Sequence, residues 1–248
     1  MLIVYLKGEQ VMSALENLLS KGIEGALCVT EDSKEFYEVD AETYFMVYTS
    51  NGAKNAGTES YRALFALIMM TELEKNGIKT NLAYNKVLCV DGKYGLLVKK
   101  CESIPIKWIS SFETSGSVFI TFPELVKRNK RFFNPVHRYE YISDTEDKII
   151  NESYIIGLNI LTRDEFIMAD TLVVKIENVL SKLWKNININ LIDAEVKFAK
   201  CSGNVLVVYE INQFTVPISN FSKFDEQIKY EEFVKRLYPG YMRLVESV

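Results

Sequence analysis

The chain has 248 residues, 29 Lys+Arg against 33 Asp+Glu, and 48% apolar residues, enough for one large domain or two small ones with a sizeable core. A net charge of -4 gives no general pull toward nucleic acid or anionic membrane, and the longest apolar run, Ala63 to Met70, falls well short of the about 20 residues of a membrane span. The first residues lack the apolar core of a signal peptide, so a cytoplasmic protein with neither nucleic-acid nor membrane partners is expected.

In chain order, Val11, Met12, Leu15, Leu18 and Leu19 are spaced for one face of a helix over Gln10 to Ser20. Ala26 to Thr30, Glu35 to Val39 and Thr43 to Thr49 read as short strands separated by acidic turns. A long helix is predicted from Tyr61 to Asn76, capped by Ser60 and closed by Gly77. Lys86 to Val90 and Tyr94 to Lys99 flank the hairpin signal Asp91-Gly92. Strands follow at Ile106 to Phe112 and Val118 to Thr121, then a basic, less regular insertion from Lys127 to Arg138. Thr162-Arg163-Asp164-Glu165 has the spacing of a capping box and opens a helix through about Trp184. Ile187 to Ile192, Ala194 to Ala199 and Val205 to Ile211 read as strands, and Phe224 to Leu237 as a helix.

This pattern predicts an α+β protein in two lobes, with neither a doubly wound parallel sheet nor a phosphate-binding glycine motif. Its expected divisions are an extension over 1–28, a strand-rich lobe with one long helix over 29–102, and an α+β lobe over 103–248. The four cysteines, Cys28, Cys89, Cys101 and Cys201, are scattered without a C-x-x-C pair, which predicts free thiols in a reducing compartment rather than a zinc site. The single histidine, His137, lies in Asn134-Pro135-Val136-His137-Arg138 and reads as a surface loop residue.

Several stretches in this order resemble the phosphoribosylaminoimidazole-succinocarboxamide synthase (SAICAR synthetase) family. They are Lys34-Glu35-Phe36-Tyr37-Glu38, the run Leu97 to Pro105, Ser115-Gly116-Ser117, Asp147 to Ile155, and Leu191-Ile192-Asp193-Ala194-Glu195-Val196-Lys197-Phe198. The resemblance implies a kinase-like fold with antiparallel sheets and flanking helices, ATP between the lobes, and amide formation between an activated carboxylate and an amine. Phosphoryl transfer is mostly positioning and charge stabilisation, so cationic groups are expected around the phosphates. By the resemblance, Lys34 belongs to the phosphate-covering loop, while Leu97, Val98, Lys99, Lys100 and Glu102 belong to a linker whose backbone meets adenine. Gly116 and Ser117 form a turn that offers N–H groups to a phosphate.

The chain departs from that family pattern at several positions. Glu31 and Asp32 replace a glycine and a lysine of the phosphate loop, and Gly57-Thr58-Glu59 lacks a second loop's lysine. Ser111 stands where the family has a substrate-binding arginine, Lys107 replaces a glutamate, and Asn212-Gln213-Phe214 replaces the segment leading to another arginine. The order Glu195-Val196-Lys197 inverts the family's lysine-leucine-glutamate, and Tyr209 replaces the aspartate before Glu210. Both acidic positions that would hold magnesium are thus changed, which argues against a metal site and places the Lys197 ammonium near that position. Glu195 and Lys197 share one strand face and are expected to form an ion pair.

Lys34, Glu195, Lys197, Tyr209 and Glu210 are therefore the candidate catalytic residues, with Ser111, Gly116 and Ser117 toward the substrate. The expectation is an ATP-dependent carbon–nitrogen ligase acting on a small molecule other than the purine intermediate. Two alternatives stay open: a non-catalytic descendant that binds a nucleotide or metabolite, and an enzyme that reuses the cleft without ATP. Lys127, Arg128, Lys130 and Arg131 read as a solvated basic loop. The apolar face of the N-terminal helix is left either to cover the first lobe or to join two copies in a homo-oligomer.

Overall fold

Ala63 to Met70 is apolar on every side, and such a helix is stable only where it is enclosed all round. In the computed structural model this run lies in α1 (Glu59–Lys75), with Ala63, Leu64, Phe65, Ala66, Leu67, Met69 and Met70 all buried. The structure describes residues 27–31, 34–49, 58–114, 121–127, 130–143, 145–187, 191–201, 205–211 and 226–247, with isolated positions between them that include Ser13, Glu16, Leu18, Ser20, Ile23, Val118 and Ile189. The chain divides into two units: Met1–Cys101 together with Lys223–Val248, and Glu102–Ser222. The second unit thus ends at Ser222, and the C-terminal segment belongs with the first.

The first unit is built on a six-stranded sheet of order β1-β2-β3-β5-β4-β11. Its strands are β1 (Leu27–Glu31), β2 (Lys34–Glu38), β3 (Thr43–Tyr48), β4 (Leu82–Val90), β5 (Lys93–Lys99) and β11 (Val245–Ser247). All neighbours are antiparallel except β11, which pairs parallel with β4 through Val245 and Val87. Helix α1 packs on β3, β4 and β5 and against the C-terminal helix α4 (Glu226–Leu237), with the Phe65 and Phe233 rings 6.5 Å apart. Thr58, not Ser60, is the N-cap of α1, and Gly77 closes it at φ +76°, a conformation that glycine adopts without strain. A further apolar cluster of this unit joins Leu18 and Ile23 to Tyr37, Val39, Phe45, Val47, Leu88, Val90 and Leu97. The N-terminal extension therefore contributes to the core of its own unit.

The second unit carries a five-stranded sheet of order β10-β9-β6-β7-β8. Its strands are β6 (Glu102–Glu113), β7 (Arg131–Tyr141), β8 (Lys148–Ile150), β9 (Asp193–Cys201) and β10 (Val205–Glu210). A short helix, α2 (Glu152–Gly157), precedes the long α3 (Arg163–Asn186). The predicted capping box is present: Thr162 and Glu165 satisfy each other's backbone N–H groups. The architecture is α+β, as expected.

Several expected elements differ. Val118 and Thr121 are helical rather than strand. Ile187 is the C-cap of α3 rather than the start of a strand, and the Trp184 carbonyl accepts from the N–H groups of Ile187 and Ile189. The basic insertion contains β7, and His137 sits within it rather than in a loop. Pro135 is tolerated there because β6 and β7 lose register between the pairs Ser111–Val136 and Glu113–Arg131, so no ladder N–H is needed. Cys28 and Cys89 are free, but Cys101 and Cys201 are each disulfide-bonded, which corrects the expectation of four free thiols. Among the described residues no helix is long and apolar enough to cross a membrane.

Candidate active site

Alternation along β6, β7 and β9 gives the second unit's sheet two unlike faces. One is apolar: Trp108, Tyr139 and Phe198 are in ring contact, and Tyr139 meets Phe166 of α3. The same face anchors α3 by polar bonds. The Tyr139 hydroxyl donates to Asp170 Oδ1 at 3.0 Å, and His137 Nε2 lies 2.6 Å from Glu177 Oε1. That hydrogen bond holds the His137 imidazole above its ordinary value, against the opposing effect of burial. His137 is thus a structural tie between β7 and α3, not a loose surface group.

The opposite face is ionic. Lys107 of β6 stands directly across from Lys197 of β9 and Glu140 of β7, and the next row sets Ile109 between Glu195 and Arg138. Beyond these, Ser111 faces Asp193, and both are buried. Lys197 is buried and binds Glu210 Oε2 at 2.9 Å; Arg138 binds Glu140 at 2.8 Å; Lys107 binds Asp147. Each of these three cations thus holds a carboxylate of its own.

The ion pair expected between Glu195 and Lys197 is not the one formed. The i,i+2 spacing does not by itself forbid a pair, since Arg138 and Glu140 form one, but Glu210 stands directly across from Lys197, and directly paired residues lie near 5 Å against about 6.6 Å along one strand. A register shift between Val208 and Glu210 makes Tyr209 the extra residue of a bulge and sets Glu210, not Tyr209, opposite Lys197. Bulges commonly re-aim side chains in this way. Glu195 is left half-buried beside the two lysines; burial raises its carboxyl above the usual range, with Lys107 and Lys197 pulling the other way. Lys107, Asp147 and Arg138 were not selected from the sequence as site residues. The alternation of β6 could have revealed Lys107, but Asp147 lies outside any strand pattern.

In the first unit, Lys34 opens β2 and is buried. Leu97, Val98 and Lys99 end β5, and the N–H groups of Lys99 and Lys100 donate to the carbonyls of Asn81 and Glu42, each at 2.7 Å. Those two linker donors are therefore committed within the sheet, and Glu102 already belongs to β6. A polar network on the other face of β2 also escaped sequence reasoning: the Tyr37 hydroxyl donates to Glu35 Oε2 at 2.5 Å and Lys93 Nζ to the same oxygen at 3.1 Å. Gly116, Ser117, Asp32 and Gly57 lie outside the described residues.

A five-stranded sheet with one apolar and one ionic face, together with the six-stranded sheet and helices of the first unit, makes an α+β fold that solved SAICAR synthetases share. The Ehrlichia chaffeensis phosphoribosylaminoimidazole-succinocarboxamide synthase superposes with a TM-score of 0.69 at 20% identity, covering 88% of this chain and 95% of that one. A SAICAR synthetase solved in complex with ADP gives 0.71 at 19% identity, covering 85% and 97%. In sequence, the phosphoribosylaminoimidazole-succinocarboxamide synthase of Methanocaldococcus jannaschii is 29% identical over 194 residues, 74% of this chain and 77% of that protein. The SAICAR synthetase family model matches residues 32–228, and the chain belongs to that family.

The donor set on the ionic face does not suit a divalent cation. Hard cations take several carboxylate or carbonyl oxygens, whereas here an ammonium occupies the centre of the row, Asp147, Glu140 and Glu210 each already hold a cation, and Glu195 sits between two lysines. Among the described residues no three His, Cys, Asp or Glu side chains gather as a metal site.

Proposed function

We propose that this chain is an ATP-dependent carbon–nitrogen ligase that joins a carboxylate to an amine, and that its carboxylate differs from the one its relatives' name describes. Family membership supports the ATP-dependent ligation. The observation that carries the difference in substrate is the neutralised ionic face: Lys107, Arg138 and Lys197 are each bound to an acidic neighbour, and Ser111 supplies a hydroxyl at a position where the family resemblance expects an arginine. A strongly anionic substrate finds few uncommitted cations there, while a smaller or less charged acid needs fewer.

Lys34 and the residues from Leu97 to Glu102 remain the proposed nucleotide contacts, and Glu195, Lys197, Tyr209 and Glu210 the proposed reaction side. ATP, when bound, supplies the phosphoryl group that activates the carboxylate. Lys197, fixed by Glu210, is a preset positive charge of the kind that stabilises developing negative charge without reorganising.

Hydroxylamine trapping tests this function. The full chain is incubated with ATP, hydroxylamine and a panel of carboxylic acids that includes phosphoribosylaminoimidazole carboxylate as reference. The expected result is ATP-dependent hydroxamate and ADP from an acid other than the reference. Efficient hydroxamate from the reference alone overturns the substrate difference, and no ADP from any acid overturns the ligase.

A further inference from the structure

We propose that Glu195 binds the incoming amine as its ammonium ion and takes the proton that must leave before nitrogen can attack; this rests on the ligase function above. Two lysines directly opposite each other on one sheet face repel, and Lys107 and Lys197 stand in that relation. The sheet resolves the conflict by giving each its own carboxylate, Glu210 from β10 and Asp147 from the segment after β7. Arg138 of β7 is taken by Glu140 of the same strand. That leaves Glu195. Among the described residues no hydrogen bond or ion pair holds it, although Lys107, Lys197, Glu210 and Glu140 all act on it through space.

Its surroundings suit an amine. A carboxylate drawn partly out of water binds a cation more strongly than an exposed one, and prefers to be neutralised. Glu195 is half-buried rather than sealed, so a ligand can reach it. Lys107, Lys197 and Arg138 cannot take up a proton while they are charged, and their carboxylate partners are engaged. A primary amine arrives protonated at neutral pH and has no lone pair to offer until a base removes one proton.

The balance is as follows. The substrate carboxylate takes the γ-phosphoryl group of ATP, giving an acyl phosphate and ADP. The Glu195 carboxylate accepts a proton from the ammonium, the freed nitrogen pair forms the C–N bond, and the C–O bond to phosphate breaks. Inorganic phosphate leaves with that electron pair, and the second nitrogen proton passes to solvent.

The test compares wild type, Glu195→Gln and Glu195→Asp in the full chain, with the acid that gives hydroxamate and two nucleophiles: L-aspartate, and hydroxylamine, which is largely unprotonated at neutral pH. Removing a general base costs about 10²–10⁴ in rate. Amine-dependent phosphate release is therefore expected to fall at least about 100-fold in Glu195→Gln. Its acidic limb should be lost, Glu195→Asp should recover part of the rate, and hydroxamate formation should change little. An equal fall with both nucleophiles, or with neither, overturns the proposal.

A second readout separates this outcome from failure of the ligase. In protein carrying [δ-¹³C]glutamate, the resonance missing from Glu195→Gln should shift when L-aspartate or methylammonium is added without ATP. A resonance that stays fixed while hydroxamate still forms sinks the amine site alone. A resonance that shifts without any hydroxamate sinks the ligase and keeps the amine site.

Discussion

Replacing Lys197 by methionine tests the charged face as a structural object, independently of any substrate. The side chains of Lys197 and Glu210 are only 9% and 6% exposed, with the ammonium 2.9 Å from the carboxylate. Methionine keeps most of the lysine stem, so the packing loss is small, but Glu210 is left as a buried carboxylate without its cation. Breaking a buried pair from one side costs about 3–5 kcal/mol. At about 2–4 °C per kcal/mol for a chain of this size, the melting temperature should fall by about 10 °C. Removing both charges, as Lys197→Met with Glu210→Gln, relieves the orphaned carboxylate and should recover much of that loss. An exposed pair serves as the reference: Lys75, 61% exposed, binds Glu72 at 3.2 Å, and Lys75→Met should cost less than about 1 kcal/mol. Urea unfolding of the four proteins gives the comparison. A Lys197→Met penalty no larger than that of Lys75→Met, or a double variant less stable than Lys197→Met by the full cost of a second break, would refute the buried-pair account.

Two further outcomes follow from local geometry. The His137 imidazole is held above its ordinary value by Glu177, so its contribution is fully present below about pH 6.5 and is lost as pH rises through the elevated folded value. Wild type should exceed His137→Gln by about 2 kcal/mol near pH 6, the order of a hydrogen bond to a charged group, with the gap shrinking toward pH 9. A gap that widens with pH refutes the assignment. At Gly95 a methyl group would stand 2.4 Å from the Met46 carbonyl oxygen and 2.7 Å from the Phe45 ring. Because backbone cannot yield as a side-chain end can, Gly95→Ala should cost at least about 2 kcal/mol in urea unfolding, and a neutral result would show that β3 and β5 sit farther apart.

The elements legible in the sequence are those whose signals are local. The capping box of Thr162 and Glu165 and the Asp91-Gly92 turn depend on residues within a few positions of each other, and they form as the spacing predicts. Elements settled by distant neighbours were less legible. β7 carries Pro135 and a dense set of cations, local marks of a loop, yet it is a strand because β6 and β8 flank it on both sides. The helix before β9 ends close to Trp184, as expected, but Ile187, read as the start of a strand, is its C-cap, because apolar content alone does not separate a helix end from a strand.

The same division explains the charged face. Spacing along β9 puts Glu195 and Lys197 on one side of the sheet, and that much was readable. Which carboxylate Lys197 takes was not, because the choice turns on a one-residue bulge at Tyr209 that has no signature in the surrounding sequence. Sliding β10 back by that one residue would set a phenol opposite Lys197 and return Glu210 to the other face. Glu195 would then be the carboxylate left on β9 beside an uncommitted ammonium, and an ion pair between them would become the favoured arrangement. The bulge thus decides whether Glu195 is tied up or left facing a ligand. Glu210→Gln, which leaves the Lys197 ammonium uncommitted beside Glu195, should therefore quench the amine-induced shift of the Glu195 resonance even where the fold survives, whereas Tyr209→Phe, which keeps the bulge and Glu210 opposite Lys197, should leave that shift in place.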